Sequence, residues 1–175
     1  MPNIPNILSL LRIALIPVLI VLFLLPYKSA PAWAAAIFVV AAFTDWLDGY
    51  LARKWDQTSA FGAFIDPVAD KLIVAVALVL ILYILLPVVV IIGREITVSA
   101  LREWMAELGQ RNAVKVSYIG KLKTAFQMLS IACLIYYSPL LGLPVFEIGV
   151  ALLYVAAALT ISSMVSYLKA AWPML

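Results

Sequence analysis

Four aspartates stand in two closely spaced pairs in the first half of the chain. Asp45 and Asp48 are three residues apart, and Asp66 and Asp70 are four apart. On a helix, either spacing puts both side chains of a pair on one face. Residues 53–61 between the pairs are polar enough for a turn, so a helical hairpin would bring the two pairs together. Four converging carboxylates repel one another, and they need cations or protons to neutralise them.

Hard oxygen ligands in this number predict a divalent metal site. Mg²⁺, Mn²⁺ and Ca²⁺ all prefer such ligands, and two ions would bridge the carboxylates and leave positions open for phosphate oxygens. Gly49 and Gly62 would let a phosphate approach the backbone closely, and Arg53 could bind a diphosphate through two donors. The alternative is that the aspartates cap helices and pair with Arg53, Lys54 and Lys71. Two helical pairs around a glycine-bearing turn favour the metal site.

The rest of the chain has the composition of a membrane protein. Of its 175 residues, 66% are hydrophobic and 12% are charged, whereas globular domains are about 45–50% apolar and about 25% charged. The sequence contains no histidine, and its one cysteine, Cys133, lies in an apolar run. Histidine-dependent catalysis and a disulfide scaffold are therefore excluded. Acid–base and metal chemistry falls mainly to the carboxylates.

Apolar stretches predict an all-α, polytopic membrane protein with six transmembrane helices in a single domain over residues 1–175. A membrane span needs about 20 apolar residues, and the candidates are residues 13–25, 33–43, 72–86, 88–101, 125–137 and 148–168. Residues 7–11 are expected to form an N-terminal segment along the membrane interface. Lysines and arginines concentrate in the connections on one side, which is therefore predicted to be cytoplasmic and to carry both termini.

The aspartates belong to a longer pattern of eight residues. The arrangement D-x2-D-G-x2-A-R-x8-G-x3-D-x3-D is formed by Asp45, Asp48, Gly49, Ala52, Arg53, Gly62, Asp66 and Asp70. It resembles the signature of the CDP-alcohol phosphotransferases, with every fixed position filled. This resemblance implies six transmembrane helices, usually in a homodimer, and a metal site that faces the cytoplasm. It also implies that the hydroxyl of a second alcohol displaces CMP from a CDP-alcohol.

The resemblance further implies roles for individual residues. The metal, expected to be two Mg²⁺ or Mn²⁺ ions, would be bound by Asp45, Asp48, Asp66 and Asp70. Asp70 would also act as the general base on the acceptor hydroxyl. The CDP moiety would be held by Asn6, Gly49, Arg53, Ser59 and Gly62. For Asn6, the alternative is that this segment is only a helix start at the interface.

The second half of the chain resembles bacterial members of the family that transfer the phosphatidyl group of CDP-diacylglycerol to glycerol 3-phosphate and release CMP. Arg94, Arg102, Lys121 and Lys123 add positive charge on the cytoplasmic half, as binding of an acceptor phosphate would require. Arg94 interrupts an apolar run, although an ion pair with Glu95 or with an aspartate of another span would also explain its presence. The expectation is an enzyme of phospholipid synthesis in the bacterial inner membrane, without a nucleic-acid partner.

Other functions fit parts of the pattern. Inositol phosphate is also anionic and would suit the same cations. A cation transporter would use the four aspartates as an ion path, but it should then carry acidic residues across the whole membrane depth, and here they cluster near one face. A structural protein would bind CDP-lipids without turning them over. Metal-dependent release of CMP distinguishes the enzyme from the last two.

Overall fold

The computed structural model describes residues 4–55, 60–109 and 118–172, and these form six α-helices. In chain order they are α1 (Ile4–Leu24), α2 (Ala30–Trp55), α3 (Ala60–Leu80), α4 (Leu85–Glu107), α5 (Tyr118–Tyr136) and α6 (Val145–Ala171). Among the described residues, extended pairing is limited to an isolated bridge between Leu140 and Leu143, just before α6. The prediction of an all-helical fold is confirmed.

The first helix differs from the expected interfacial segment followed by a span. Residues 7–11 continue without a break into the apolar stretch, and α1 is a single helix of 21 residues. Asn6, Ser9 and Arg12 recur every three residues and are all buried. This spacing places them on one face of α1. The polar start of the helix is therefore packed within the protein.

The helices pack against one another in the order α3, α1, α2, α5, α6 and α4. α1 lies between α2 and α3 and packs extensively against both. The α5–α6 contact is the most extensive, and it is tight: a Cβ added to Gly149 would lie 2.9 Å from Cγ of Leu134. α3 contacts α4 and α5 at only a few of the described positions, so the bundle is loosest there.

The core is mainly aliphatic and draws on every helix. One representative buried residue from each helix in turn is Leu19, Phe38, Leu78, Ile91, Ile131 and Leu153. Burial of apolar surface of this kind favours compact packing in water, but the outer surface is apolar as well. Leu24, Leu86 and Ile96 are about two-thirds exposed, at 70%, 67% and 66%.

Two of the described helical segments are long and apolar enough to cross a membrane. They are Asn6–Leu24 in α1 and Val145–Lys169 in α6. Ala30–Asp45 in α2 and Leu122–Tyr136 in α5 are shorter apolar helices. Polar residues near one end of α2 to α5 shorten their apolar stretches. These are the same residues that the sequence marks as functional.

Candidate active site

The carboxylates of Asp45 and Asp70 meet at one guanidinium group. Nη1 of Arg12 lies 2.8 Å from Oδ1 of Asp45 and also pairs with Oδ1 of Asp70. The Arg12 side chain is fully buried, whereas the Asp45 and Asp70 side chains are 41% and 39% exposed. α1 thus supplies a buried cation that offsets one carboxylate from α2 and one from α3.

Asp66 joins the same cluster through Ser9. Oγ of Ser9 donates a hydrogen bond to Oδ1 of Asp66 and accepts one of 3.4 Å from Nη2 of Arg12. Three of the four predicted metal-binding aspartates therefore lie around two polar residues of α1. Asp48 lies on α2, but its side chain is outside the described part of the chain.

The carboxylates come together in a way that the hairpin prediction did not anticipate. Among the described residues, α2 and α3 each pack far more against α1 than against each other. Arg12 of α1 joins Asp45 of α2 to Asp70 of α3, a contact that the sequence did not predict. The available signal was that Arg12 is the single charged residue in the sequence of α1. A lone charge in an apolar helix usually faces a partner inside the bundle.

The carboxylates fit a hard divalent cation. Among the described residues, Asp45 and Asp70 share Arg12 as their cationic partner, so this point in the fold requires positive charge. Carboxylate oxygens are the ligands that Mg²⁺ and Mn²⁺ prefer. Within the described residues, no three acidic side chains come close enough to enclose a metal by themselves. The donor set is therefore suitable in chemistry, and Asp48 is the further aspartate that the sequence pattern adds to it.

The residues predicted to hold the CDP moiety lie close to this cluster along their helices. Asn6 and Gly62 are buried near the starts of α1 and α3, about one turn before Ser9 and Asp66 respectively. Gly49 lies on α2, about one turn after Asp45. The Arg53 side chain and the whole of Ser59 lie outside the described residues.

A cavity of about 520 Å³ opens beside the carboxylates, where α3 is only loosely packed against α4 and α5. Asp45 and Asp70 line it from α2 and α3. Glu95 lines it from α4, and Lys123 and Gln127 line it from α5. One space therefore connects the aspartates to the polar residues of the second half of the chain.

Lys123 is a predicted acceptor-binding cation that lines this cavity. It is 3% exposed, and its Nζ donates to Oε1 of Glu95. The same oxygen accepts a hydrogen bond of 3.2 Å from Nη1 of Arg94. A buried ammonium group requires an anionic partner. Glu95 is that partner here, and a phosphate, which is also an anion, would serve equally well.

Arg94 and Arg102 of α4 both contact Tyr167 of α6. Their guanidinium carbons lie 5.4 Å and 5.2 Å from the centre of the Tyr167 ring. Nη2 of Arg102 donates to the Tyr167 hydroxyl at 3.0 Å, and Nη2 of Arg94 donates to Oγ of Ser163 at 3.3 Å. The ion pair of Arg94 with Glu95, left open by the sequence, is present. The side chain of Lys121 lies outside the described residues.

Comparison with known proteins places the chain in a family. A family profile described as CDP-alcohol phosphatidyltransferase matches residues 2–162. The chain belongs to the CDP-alcohol phosphatidyltransferase family. The resemblance seen in the aspartate pattern is thereby confirmed. The matched range includes the aspartates, Lys123 and Gln127, so family membership covers the whole candidate site. CDP-alcohol phosphatidyltransferases generally depend on a divalent metal, in agreement with the chemistry of the carboxylate cluster.

Similar members of the family share more than half of their residues with this chain. Three of them are named CDP-diacylglycerol–glycerol-3-phosphate 3-phosphatidyltransferase, from Salmonella choleraesuis, Pectobacterium atrosepticum and Sodalis glossinidius. They are 52%, 54% and 54% identical, over 97% of this chain and 94% of each relative. The similarity therefore extends over almost the full length of this chain and of each relative.

Proposed function

We propose that this protein transfers the phosphatidyl group of CDP-diacylglycerol to glycerol 3-phosphate, giving phosphatidylglycerophosphate and CMP. The observation that carries the proposal is the identity of 52–54%, over nearly the full length, to family members named for this reaction. The cavity supports it, because Asp70 and Lys123 line the same space. An acceptor with a hydroxyl and a phosphate needs a carboxylate to take a proton and a cation to bind the phosphate.

The residues that line the cavity divide the chemistry between them. Asp70 takes the proton of the terminal hydroxyl of glycerol 3-phosphate while that oxygen attacks the phosphorus bonded to diacylglycerol. The bond between this phosphorus and the bridging oxygen breaks, and CMP leaves. Lys123 binds the acceptor phosphate in place of Glu95, which keeps Arg94 as a partner. Arg94, Arg102 and Lys121 add positive charge, and positioning with charge stabilisation provides most of the acceleration.

The carboxylate cluster is assigned to two Mg²⁺ ions, which Mn²⁺ can replace. Their ligands are Asp45, Asp48, Asp66 and Asp70. When bound, the metal polarises the diphosphate and offsets the negative charge of the departing CMP. Arg12 and Ser9 hold the carboxylates at their positions. The CDP moiety is assigned to Asn6, Gly49, Arg53, Ser59 and Gly62.

The six helices are assigned to six spans of the bacterial inner membrane, with the aspartates and both termini facing the cytoplasm. The exposed apolar side chains along the helices support this, since large contiguous apolar surface is unfavourable in water. Arg12, Arg102, Lys123 and Lys169 lie toward the same end of the bundle as the aspartates, as the preference for cytoplasmic basic residues requires. The family resemblance adds that two copies associate as a homodimer.

The test is CMP release by the purified protein. CDP-diacylglycerol and Mg²⁺ are supplied with glycerol 3-phosphate, inositol phosphate or serine as the acceptor. We expect release with glycerol 3-phosphate, and a loss of at least about 100-fold in Asp70→Asn, the usual contribution of a general base. Glu147→Gln, at the exposed start of α6, is the matched control and should retain full activity.

Two outcomes would contradict the proposal. Release that requires inositol phosphate or serine would keep the family chemistry and overturn the acceptor. If the folded protein releases no CMP with any acceptor, transport or simple binding of CDP-lipids becomes the better interpretation.

A further inference from the structure

Gln127 is a buried amide whose carbonyl has no hydrogen-bond partner among the described residues. The residue is 3% exposed. Its Oε1 is buried and accepts no hydrogen bond from the part of the chain that the structure describes. Buried polar atoms are nearly always hydrogen-bonded, because leaving one unsatisfied is unfavourable. Gln127 also lines the cavity beside the aspartates, so a molecule in that cavity is the natural partner of the amide.

The position of Gln127 relates it to both ends of the proposed acceptor. Lys123 and Gln127 are four residues apart on α5, so they share a helix face and are separated by about 6 Å along the axis. Asp70 lines the same cavity from α3. If Lys123 holds the phosphate of glycerol 3-phosphate and Asp70 meets the terminal hydroxyl, the middle hydroxyl lies between these two contacts.

We propose, resting on the function proposed above, that Gln127 binds the middle hydroxyl of glycerol 3-phosphate and makes this hydroxyl a determinant of acceptor choice. An amide donates and accepts, as a hydroxyl does, so the pair is matched in either orientation. A buried group that is satisfied only by the correct substrate selects against an analogue that lacks the matching hydroxyl. With such an analogue, the protein's own polar atom stays unpaired.

The test compares two acceptors that differ by this hydroxyl alone. 3-Hydroxypropyl phosphate has the terminal hydroxyl and the phosphate of glycerol 3-phosphate but lacks the middle hydroxyl. We expect the unmodified protein to prefer glycerol 3-phosphate by about tenfold or more in kcat/KM, from one hydrogen bond and one otherwise unsatisfied amide. In Gln127→Met, which keeps the length of the side chain, kcat/KM for glycerol 3-phosphate should fall until the two acceptors are used nearly equally.

Ser130→Ala is the matched control on the same helix. Ser130 is fully buried and donates a hydrogen bond of 2.7 Å to the carbonyl of Gly149, but it does not line the cavity. Its replacement removes a buried polar group and should leave the preference between the two acceptors unchanged. The KM for CDP-diacylglycerol should be the same in Gln127→Met as in the unmodified protein, which would show that the donor site is intact. If Gln127→Met does not fold, the same result is expected of Gln127→Leu.

The inference fails independently of the proposed function. A Gln127→Met protein that retains the full preference for glycerol 3-phosphate, or loses activity equally with both acceptors, would show that Gln127 only packs the helix. If the unmodified protein releases no CMP with glycerol 3-phosphate, the proposed function itself is wrong.

Discussion

Replacing Arg12 with methionine should show how strongly the fold depends on a cation between Asp45 and Asp70. Methionine retains much of the length and apolar character of the arginine stem but removes the guanidinium that both carboxylates contact. In protein stripped of metal, the variant leaves two neighbouring carboxylates without their shared counter-charge. Divalent metal would restore that charge, so the loss should be larger without metal than with it.

The burial of the three side chains sets the size of the effect. Exposed ion pairs contribute about 0.2–1 kcal/mol, whereas removal of one partner from a buried pair costs about 3–5 kcal/mol. Arg12 is fully buried, but Asp45 and Asp70 are 41% and 39% exposed, so water reaches them. We therefore expect a loss between these limits, about 2 kcal/mol in free energy of unfolding. For a chain of this length, that corresponds to a fall of about 4–8 °C in Tm.

The assay is thermal unfolding of the purified protein in detergent, with EDTA and then with excess Mg²⁺. Metal binding to the folded state raises Tm, and the rise should be larger for Arg12→Met than for the unmodified protein. Lys169→Met is the control, because Lys169 is an exposed cation in the last turn of α6. If Arg12→Met and Lys169→Met have the same Tm in EDTA, or if Mg²⁺ raises both Tm values equally, the fold does not depend on a cation between Asp45 and Asp70.

Three further outcomes follow from the contacts in the site. Lys123→Met should raise the KM for glycerol 3-phosphate about tenfold or more, the equivalent of one charge-assisted contact. The KM for CDP-diacylglycerol should stay unchanged. An equal rise in both KM values would contradict a role of Lys123 in binding the acceptor. Tyr167→Phe should lose about 1 kcal/mol of unfolding free energy with the Arg102 hydrogen bond, and Tyr167→Leu about 1 kcal/mol more with the ring contacts to Arg94 and Arg102. Unfolding curves of equal stability for the two variants would show that the ring contacts contribute nothing. EDTA should abolish CMP release and added Mg²⁺ or Mn²⁺ should restore it, whereas full activity in EDTA would remove the metal from the mechanism.

The start of α1 shows where reading apolar stretches alone misses a helix. Asn6, Ser9 and Arg12 interrupt the apolar pattern, so the apolar stretch alone predicts that the first span begins after them. In the structure they form one buried face of a continuous helix, and Ser9 and Arg12 bind the carboxylates. Their three-residue spacing was visible in the sequence. Its meaning depended on which helices would pack against that face.

Arg94 and Gln127 show the same limit in the second half of the chain. Because Arg94 interrupts an apolar run, the sequence left both an acceptor phosphate and Glu95 open as its partner, and the structure joins it to Glu95, Ser163 and Tyr167 at a helix contact. No pattern in the sequence indicates a function for Gln127, because one amide in an apolar helix has many explanations. Only the cavity distinguishes it, by placing it in the space that Asp70 also lines.

The all-helical class, the family and the aspartates that carry the resemblance could all be predicted from the sequence. These depend on composition and on spacing along the chain, and helical periodicity converts such spacing directly into a shared face. Only the packing of the helices shows that α1 lies between α2 and α3 and that Arg12 joins Asp45 to Asp70. The same holds for the loose contact beside α3, which opens a cavity reaching Lys123 and Gln127. Which faces meet depends on how the surfaces of all six helices fit together, because close packing couples every contact to its neighbours. No local pattern in the sequence contains that information.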